Sequence, residues 1–203
     1  MKRGSLITFE GLDGCGKSTQ CARFVAAREA EGIEVHATRE PTNGPWGQRV
    51  RALARGGESV PLEEELSWFV ADRRDHIDLE IEPELAAGKL VVCDRYYHST
   101  VAYQGARGLD AWDILEQHER DFLVPELTLY FKLPAADCIE RIRARGEPLD
   151  AAFERLEFLE RAELLFDELA AARDAIATVD ARGDEDEVAA RVEAAWRRFT
   201  QSR

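Results

Sequence analysis

At 203 residues, 45% of them hydrophobic, the chain has the material for one ordinary core, and 1–203 is expected to form a single domain. A formal net charge of −13 argues against general affinity for nucleic acid or an anionic membrane, both of which need a broad positive surface, so an anionic ligand must be caught locally. No apolar run approaches the length of a membrane span, and the start MKRGSLITFEG lacks the long apolar stretch and cleavage site of a secretory signal; the expected compartment is the cytoplasm.

Residues 5–10 (SLITFE) predict a first strand, and 19–32 an amphipathic helix closed by Gly32. A second strand, 33–40, ends at Pro41, which has no N–H to give a ladder. Residues 47–55 and 61–86 read as helices, the second with Pro61 in its first turn and Gly88 just past its end. KLVVCDR (89–95) is apolar on both faces, as a central parallel strand is. Fourth and fifth strands are expected at 126–133 and 175–181, with helices starting at 134, 151 and 184. Short strands alternating with helical crossovers imply an α/β protein with a doubly wound parallel sheet. Cys15, Cys21, Cys93 and Cys138 show no C-x-x-C spacing and read as small buried hydrophobes.

FEGLDGCGKSTQ (9–20) lies between the first predicted strand and helix. Within it, Gly11 to Ser18 match G-x-x-x-x-G-K-S, a P-loop, in the strand–helix setting that the motif requires. Glycines let successive backbone N–H groups converge on phosphate oxygens at a helix N-terminus. The candidate nucleoside-triphosphate-binding residues are therefore Gly11, Asp13, Gly14, Cys15, Gly16, Lys17, Ser18 and Thr19. Lys17 is expected to reach the terminal phosphates, and the Ser18 hydroxyl to help hold Mg2+. Asp94, after LVVC, is the candidate second metal-site residue, its rival role being a structural bond to the loop. A glycine-rich turn with no ligand is the rival reading of the whole motif.

The P-loop is followed in order by TREP (38–41), FVADRRDH (69–76), DRYYHSTVAYQG (94–105) and LTLYFKL leading into RIRARGE. With these motifs the sequence resembles the thymidylate kinases over nearly its whole length. The resemblance implies a three-layer P-loop kinase fold, a five-stranded parallel sheet flanked by helices, with a small arginine-rich flap (LID) at about 141–156. It implies transfer of the ATP γ-phosphoryl group to dTMP, Mg2+ as cofactor, ATP and dTMP as partners, and a homodimer. Carried onto the matching positions, the dTMP site comprises Asp13, Arg39, Pro41, Arg51, Phe69, Arg73, Arg95, Thr100, Tyr103 and Gln104. Phe69 then stacks on thymine and Arg73 bonds its O4. Thr100 and Gln104 are polar contacts to the base, Tyr103 packs where a ribose 2′-OH would go, and Asp13 faces the monophosphate.

The residue chemistry points the same way. A dianionic phosphate, a flat base and a sugar hydroxyl call for guanidinium forks, an aromatic ring and a carboxylate. Plainer roles remain for each: Phe69 as core, Arg73 as an ion-paired rim residue, Arg51 and Arg95 as exposed arginines, and Thr100, Tyr103 and Gln104 as helix surface.

Cys15 stands where some relatives carry a basic residue that meets the transferring phosphoryl group, so that charge must come from elsewhere. Lys17, Arg95, Arg143 and Arg145 are the candidate catalytic groups, with Arg141 nearer the adenine and Arg155 an outside candidate. Two departures from the family pattern stand out: Pro45 and Trp46 where many relatives have small residues, and no arginine soon after RGE in the flap. Two rival functions stay open. One is a related nucleotide or nucleoside kinase with another base choice; the other is a nucleotide-responsive switch, in which Arg51, Arg73 and Arg95 would be unexplained and for which N-K-x-D is absent.

Overall fold

The computed structural model describes residues 3–54, 60–144 and 151–201. Strands β1 (Ser5–Gly11), β2 (Val35–Arg39), β3 (Leu90–Asp94), β4 (Leu127–Lys132) and β5 (Ile176–Asp180) form one parallel sheet in the order β2-β3-β1-β4-β5. All five match predicted strands. β1 and β3 are central and covered on both faces: Leu6, Ile7, Phe9, Val91, Val92 and Cys93 are all but inaccessible, and so are the polar Thr8 and Glu10 of β1. Phe9 stacks on Phe131 of β4 and packs against Phe24, each with a centroid separation of 5.5 Å. Removing a ring so enclosed costs about 3–5 kcal/mol.

Among the described residues the helices are α1 (Lys17–Ala30), α2 (Pro45–Ala54), α3 (Leu62–His76), α4 (Glu82–Ala86), α5 (Tyr97–Ala106), α6 (Ala111–Asp121), α7 (Ala135–Arg143), α8 (Ala151–Ala172) and α9 (Glu185–Gln201). α1 and α9 pack together and cover β1, β3, β4 and β5, while α5 and α8 pack together over β1 and β4. α5 is buried along most of its length, so it lacks the polar face by which a surface helix is read from sequence. α6 starts where the Asp110 carboxylate accepts from the backbone N–H groups of Trp112 and Asp113.

The single helix expected over 61–86 is interrupted. Residues Ile77–Ile81 form a π-helical turn, in which the Glu82 N–H bonds the Ile77 carbonyl. Pro83 supplies the cause: it has no N–H for the turn before it, and its ring crowds the carbonyl four residues back. All four cysteines are buried. Among the described residues no helix is long and apolar enough to cross a membrane.

The topology creates one crevice. The chain leaves β1 for β2 at one edge and leaves β3 for β4 across the other side of β1, so the loops after β1 and β3 diverge from neighbouring strand ends. Phe9 pairs with Asp94, and the Arg95 N–H donates to the Phe9 carbonyl at 2.9 Å.

Candidate active site

The loop after β1 is built from backbone. Gly11, Gly14 and Gly16 have φ of +143°, +89° and +91°, in the region that favours glycine. A Cβ at Gly14 would stand 2.5 Å from the Cys138 carbonyl oxygen, and one at Gly11 2.8 Å from that of Phe131. Two of the three are thus fixed by conformation and space together. Cys15 packs beneath the loop, 2% exposed, and burial pushes its thiol pKa up, so it contributes no charge to the crevice. α1 begins at Lys17, earlier than the sequence predicts, because Gly16 turns the chain directly into it. The Lys17 ammonium is buried, donates to the Leu12 carbonyl at 3.3 Å and lies 4.0 Å from Asp13. Burial, and then the charge of Arg95, hold its pKa below the ordinary lysine value. Ser18 and Thr19 are exposed on the first turn of α1.

Beside this loop lies a cavity of about 540 Å3. Of the residues expected at the acceptor site, Asp13, Pro41, Arg51, Phe69, Arg95, Thr100, Tyr103 and Gln104 line it. Arg95 is its most constrained member. It is the one non-glycine residue with positive φ (72°) among the described residues. Its guanidinium donates to the Gly11 carbonyl (3.0 Å), Ser99 Oγ (2.8 Å) and Asp13 Oδ1 (2.7 Å), and lies 5.3 Å from the Tyr103 ring centre. Arg95 in turn holds the Asp13 carboxyl well below the usual carboxylate range. The Tyr103 hydroxyl accepts from the Asp13 N–H at 3.0 Å and donates to Asp13 Oδ2 at 3.1 Å. Behind them, Glu10 is fully buried at the start of α5, accepting from the N–H groups of Tyr96 and Ser99; burial pushes its pKa up to about 7.

Glu65, Phe69 and Arg73 lie four residues apart on α3 and form one stripe toward the cavity. Phe69 is half-buried on the cavity wall and is therefore not closed off as core. Arg73 is neither on the wall nor at the rim: it is 1% exposed and donates to Glu40 Oε2 at 2.5 Å and to Thr100 Oγ1 at 3.0 Å. Burial would raise the Glu40 pKa, but Arg73 and His76, whose Nδ1 lies 3.0 Å from Glu40 Oε1, more than offset it. Arg51 ties down the loop before α2 through the carbonyls of Pro41 (2.6 Å) and Thr42 and through Asn43 Oδ1 (2.9 Å). Pro45 opens α2, and Trp46 lies under the Arg49 guanidinium at 4.8 Å. Arg39 is exposed at the end of β2 and does not line the cavity.

On the other side of the loop, Arg141 donates to the carbonyls of Cys15 and Ala181, both at 3.3 Å. Arg143 ends α7, its Nε buried without a hydrogen-bond partner among the described residues. Arg145 and the side chain of Arg155 lie outside the described residues. Asp94 ends β3 with Oδ1 buried and unpartnered among the described residues, which removes its plainer role as a bond to the loop through that atom.

The sequence model of the family described as Thymidylate kinase matches residues 9–192. The chain belongs to the thymidylate kinase family. It is 45% identical over 168 residues to the thymidylate kinase of Desulfotalea psychrophila, covering 82% of each chain. It is 40% identical over 191 residues to that of Akkermansia muciniphila, covering 94% of this chain and 90% of the relative. The thymidylate kinase of Xanthomonas euvesicatoria is 42% identical over 164 residues, 80% of this chain and 71% of the relative.

Membership in the thymidylate kinase family accounts for the motifs but not for every residue of the site. The sequence reading passed over Glu40, Glu65, Ser99 and Arg107, of which the last three line the cavity and Glu40 anchors Arg73. For Glu65 a signal was available, since it stands one helical repeat before Phe69. Phe158 on α8, which packs against Tyr103 at 5.6 Å, carries no local signal because the contact spans the chain.

Proposed function

We propose that the chain is an ATP-dependent dTMP kinase, transferring the γ-phosphoryl group of ATP to dTMP to give dTDP. One observation carries the reading: Asp13 and Arg95, ion-paired at 2.7 Å, belong both to the rim of the phosphate-binding loop and to the cavity wall. Two phosphorylated ligands, one on the loop and one in the cavity, would meet end to end there. The ATP phosphates lie against the N–H groups of residues 11–18 and the Lys17 ammonium. The acceptor phosphate faces Arg51 and Arg95, thymine lies against Phe69 with its edge toward Thr100, Gln104 and Arg73, and Tyr103 crowds the sugar.

The chemistry asks for position and charge. An acceptor phosphate oxygen attacks the γ-phosphorus as the bond to the ADP oxygen breaks, and no protein nucleophile takes part. Lys17 and Arg95 neutralise the developing charge, joined by Arg143 or Arg145 from the flap, because Cys15 has none to offer. Arg141 stays nearer the adenine. The unpartnered Asp94 oxygen and the Ser18 hydroxyl are the hard oxygen donors that Mg2+ takes, so these two residues fit as its protein partners. When bound, the ion supplies positive charge to the phosphate oxygens.

The same reading takes 1–203 as one domain, the protein as a cytoplasmic homodimer, and its partners as ATP and dTMP without nucleic acid or membrane; sedimentation analysis tests the dimer. Incubation with ATP, Mg2+ and a panel of nucleoside monophosphates tests the activity, with dTMP expected to be phosphorylated far faster than dCMP or ribonucleotides. A panel in which no monophosphate is phosphorylated, while ATP still binds, would favour the switch reading.

A further inference from the structure

We infer that Glu65 sets base specificity by locking the side-chain amide of Gln104, so that its carbonyl oxygen, and not its NH2, is offered to the base. The inference deepens the dTMP reading and rests on it. A glutamine amide can present either an acceptor or a donor, and which end faces a ligand is decided by its other partners. Gln104, 2% exposed on α5, has one such partner of fixed character: its Nε2 donates to Glu65 Oε1 at 2.9 Å. An ionised carboxylate only accepts, so turning the amide over would set oxygen against oxygen. Glu65 is itself held in place, because Arg107 Nη1 lies 2.5 Å from the same Oε1. All three residues line the cavity. The consequence is a buried Gln104 Oε1 with no hydrogen-bond partner among the described residues.

Gln104 lines the cavity, and with Nε2 held by Glu65 its Oε1 is the end of the amide left to meet a base edge. Thymine and uracil carry an N3–H donor, whereas cytosine has an N3 acceptor beside an amino group. Gln104 Oε1 therefore accepts from the first two and opposes the third. Arg73, behind the same wall, has only donors and cannot reverse its preference. The Gln104 amide could reverse, and Glu65 removes that freedom.

The test compares kcat/KM for dTMP, dUMP and dCMP in the parent, in Glu65→Gln and in Gln104→Ala. A glutamine at 65 donates as readily as it accepts, so the dTMP/dCMP ratio should fall about tenfold or more, since an unmatched polar edge is the strongest source of discrimination. The dTMP/dUMP ratio should stay within about twofold of the parent, because uracil presents the same N3–H and only the methyl differs. In the Gln104→Ala background, Glu65→Gln should move neither ratio. If Glu65→Gln does not fold, Glu65→Ala carries the same expectations. An active variant with an unchanged dTMP/dCMP ratio overturns the inference, and so does one in which both ratios fall together. A parent inactive on dTMP overturns the dTMP reading and this one with it.

Discussion

The two halves of the crevice recognise by different means. The loop after β1 presents main chain, shaped by three glycines of positive φ, two of which, Gly11 and Gly14, also have surroundings that leave no room for a Cβ. The cavity beside it presents side chains: on its wall Arg95 and Arg107 are fixed by Asp13 and Glu65 and Arg51 by the carbonyls of Pro41 and Thr42, and behind the wall Arg73 is fixed by Glu40. A backbone site binds what any nucleoside triphosphate shares, whereas a side-chain site can tell one base from another. Damage to the first should therefore remove nucleotide binding or turnover, and changes in the second should shift acceptor affinity and choice.

The largest expected effect tests where the missing charge comes from. With an uncharged Cys15 in the loop, the proposed mechanism places one flap arginine at the transition state, a role worth about 10³–10⁵ in rate. Among Arg143→Met, Arg145→Met and Arg155→Met, one should collapse in single-turnover rate while dTMP binding persists. If all three stay within about tenfold of the parent, well short of that range, the flap contributes no such charge.

Lys17→Ala should come next, with kcat reduced about 10³-fold, the upper range for losing one donor to developing charge, and with the melting temperature near that of the parent. A folded variant with near-normal turnover would break the assignment of the loop as the donor site. Gly14→Ala sharpens the backbone half of the comparison. Its Cβ meets the Cys138 carbonyl oxygen and its φ of +89° is unfavourable for alanine, so stability should fall by about 1–3 kcal/mol in urea titration. ATP affinity should fall with it while dTMP affinity is retained; equal loss of both would erase the distinction between the halves.

Smaller still is the pH dependence of stability, which rests on buried groups outside both halves of the crevice. Burial holds His98 down at about 3 and His118 at about 4, against an ordinary 6.5. Both stay neutral in the fold while the unfolded chain takes up protons, so their contribution is full above pH 6.5 and is lost as pH falls toward 4 and 3. Glu10, raised to about 7 from 4.5, works the other way, its contribution lost as pH rises through 7. Two imidazoles against one carboxyl leave stability falling from pH 6.5 to 4.5, and urea midpoints across that window check the sign. A midpoint that climbs on acidification would contradict it.

What was legible in the sequence follows the same division. A backbone site needs consecutive residues, so Gly11 to Ser18 stood out as a string, and β3 was readable because both of its faces are apolar. Side-chain pairs that close across the fold left no such trace. Arg73 is 33 positions from Glu40, and Gln104 is 39 from Glu65, so periodicity within one helix cannot reveal either pairing. Phe69, Tyr103 and Gln104 were found through the resemblance, where spacing alone was too weak. Arg39, expected beside them from TREP, ends β2 exposed and away from the cavity wall. The π-helical turn at Ile77–Ile81 required weighing Pro83 against an otherwise continuous helical pattern.

The most direct test of a side-chain acceptor site beside a backbone donor site is calorimetric titration of Phe69→Ala with dTMP and, separately, with ATP. Phe69 lines the cavity, whereas ATP is assigned to the loop. Loss of the ring should weaken dTMP binding by about 1–3 kcal/mol, the usual range for a base stacked on an aromatic side chain, and leave ATP affinity unchanged. Unchanged dTMP affinity, or a loss confined to ATP, would contradict the assignment of the cavity to the acceptor.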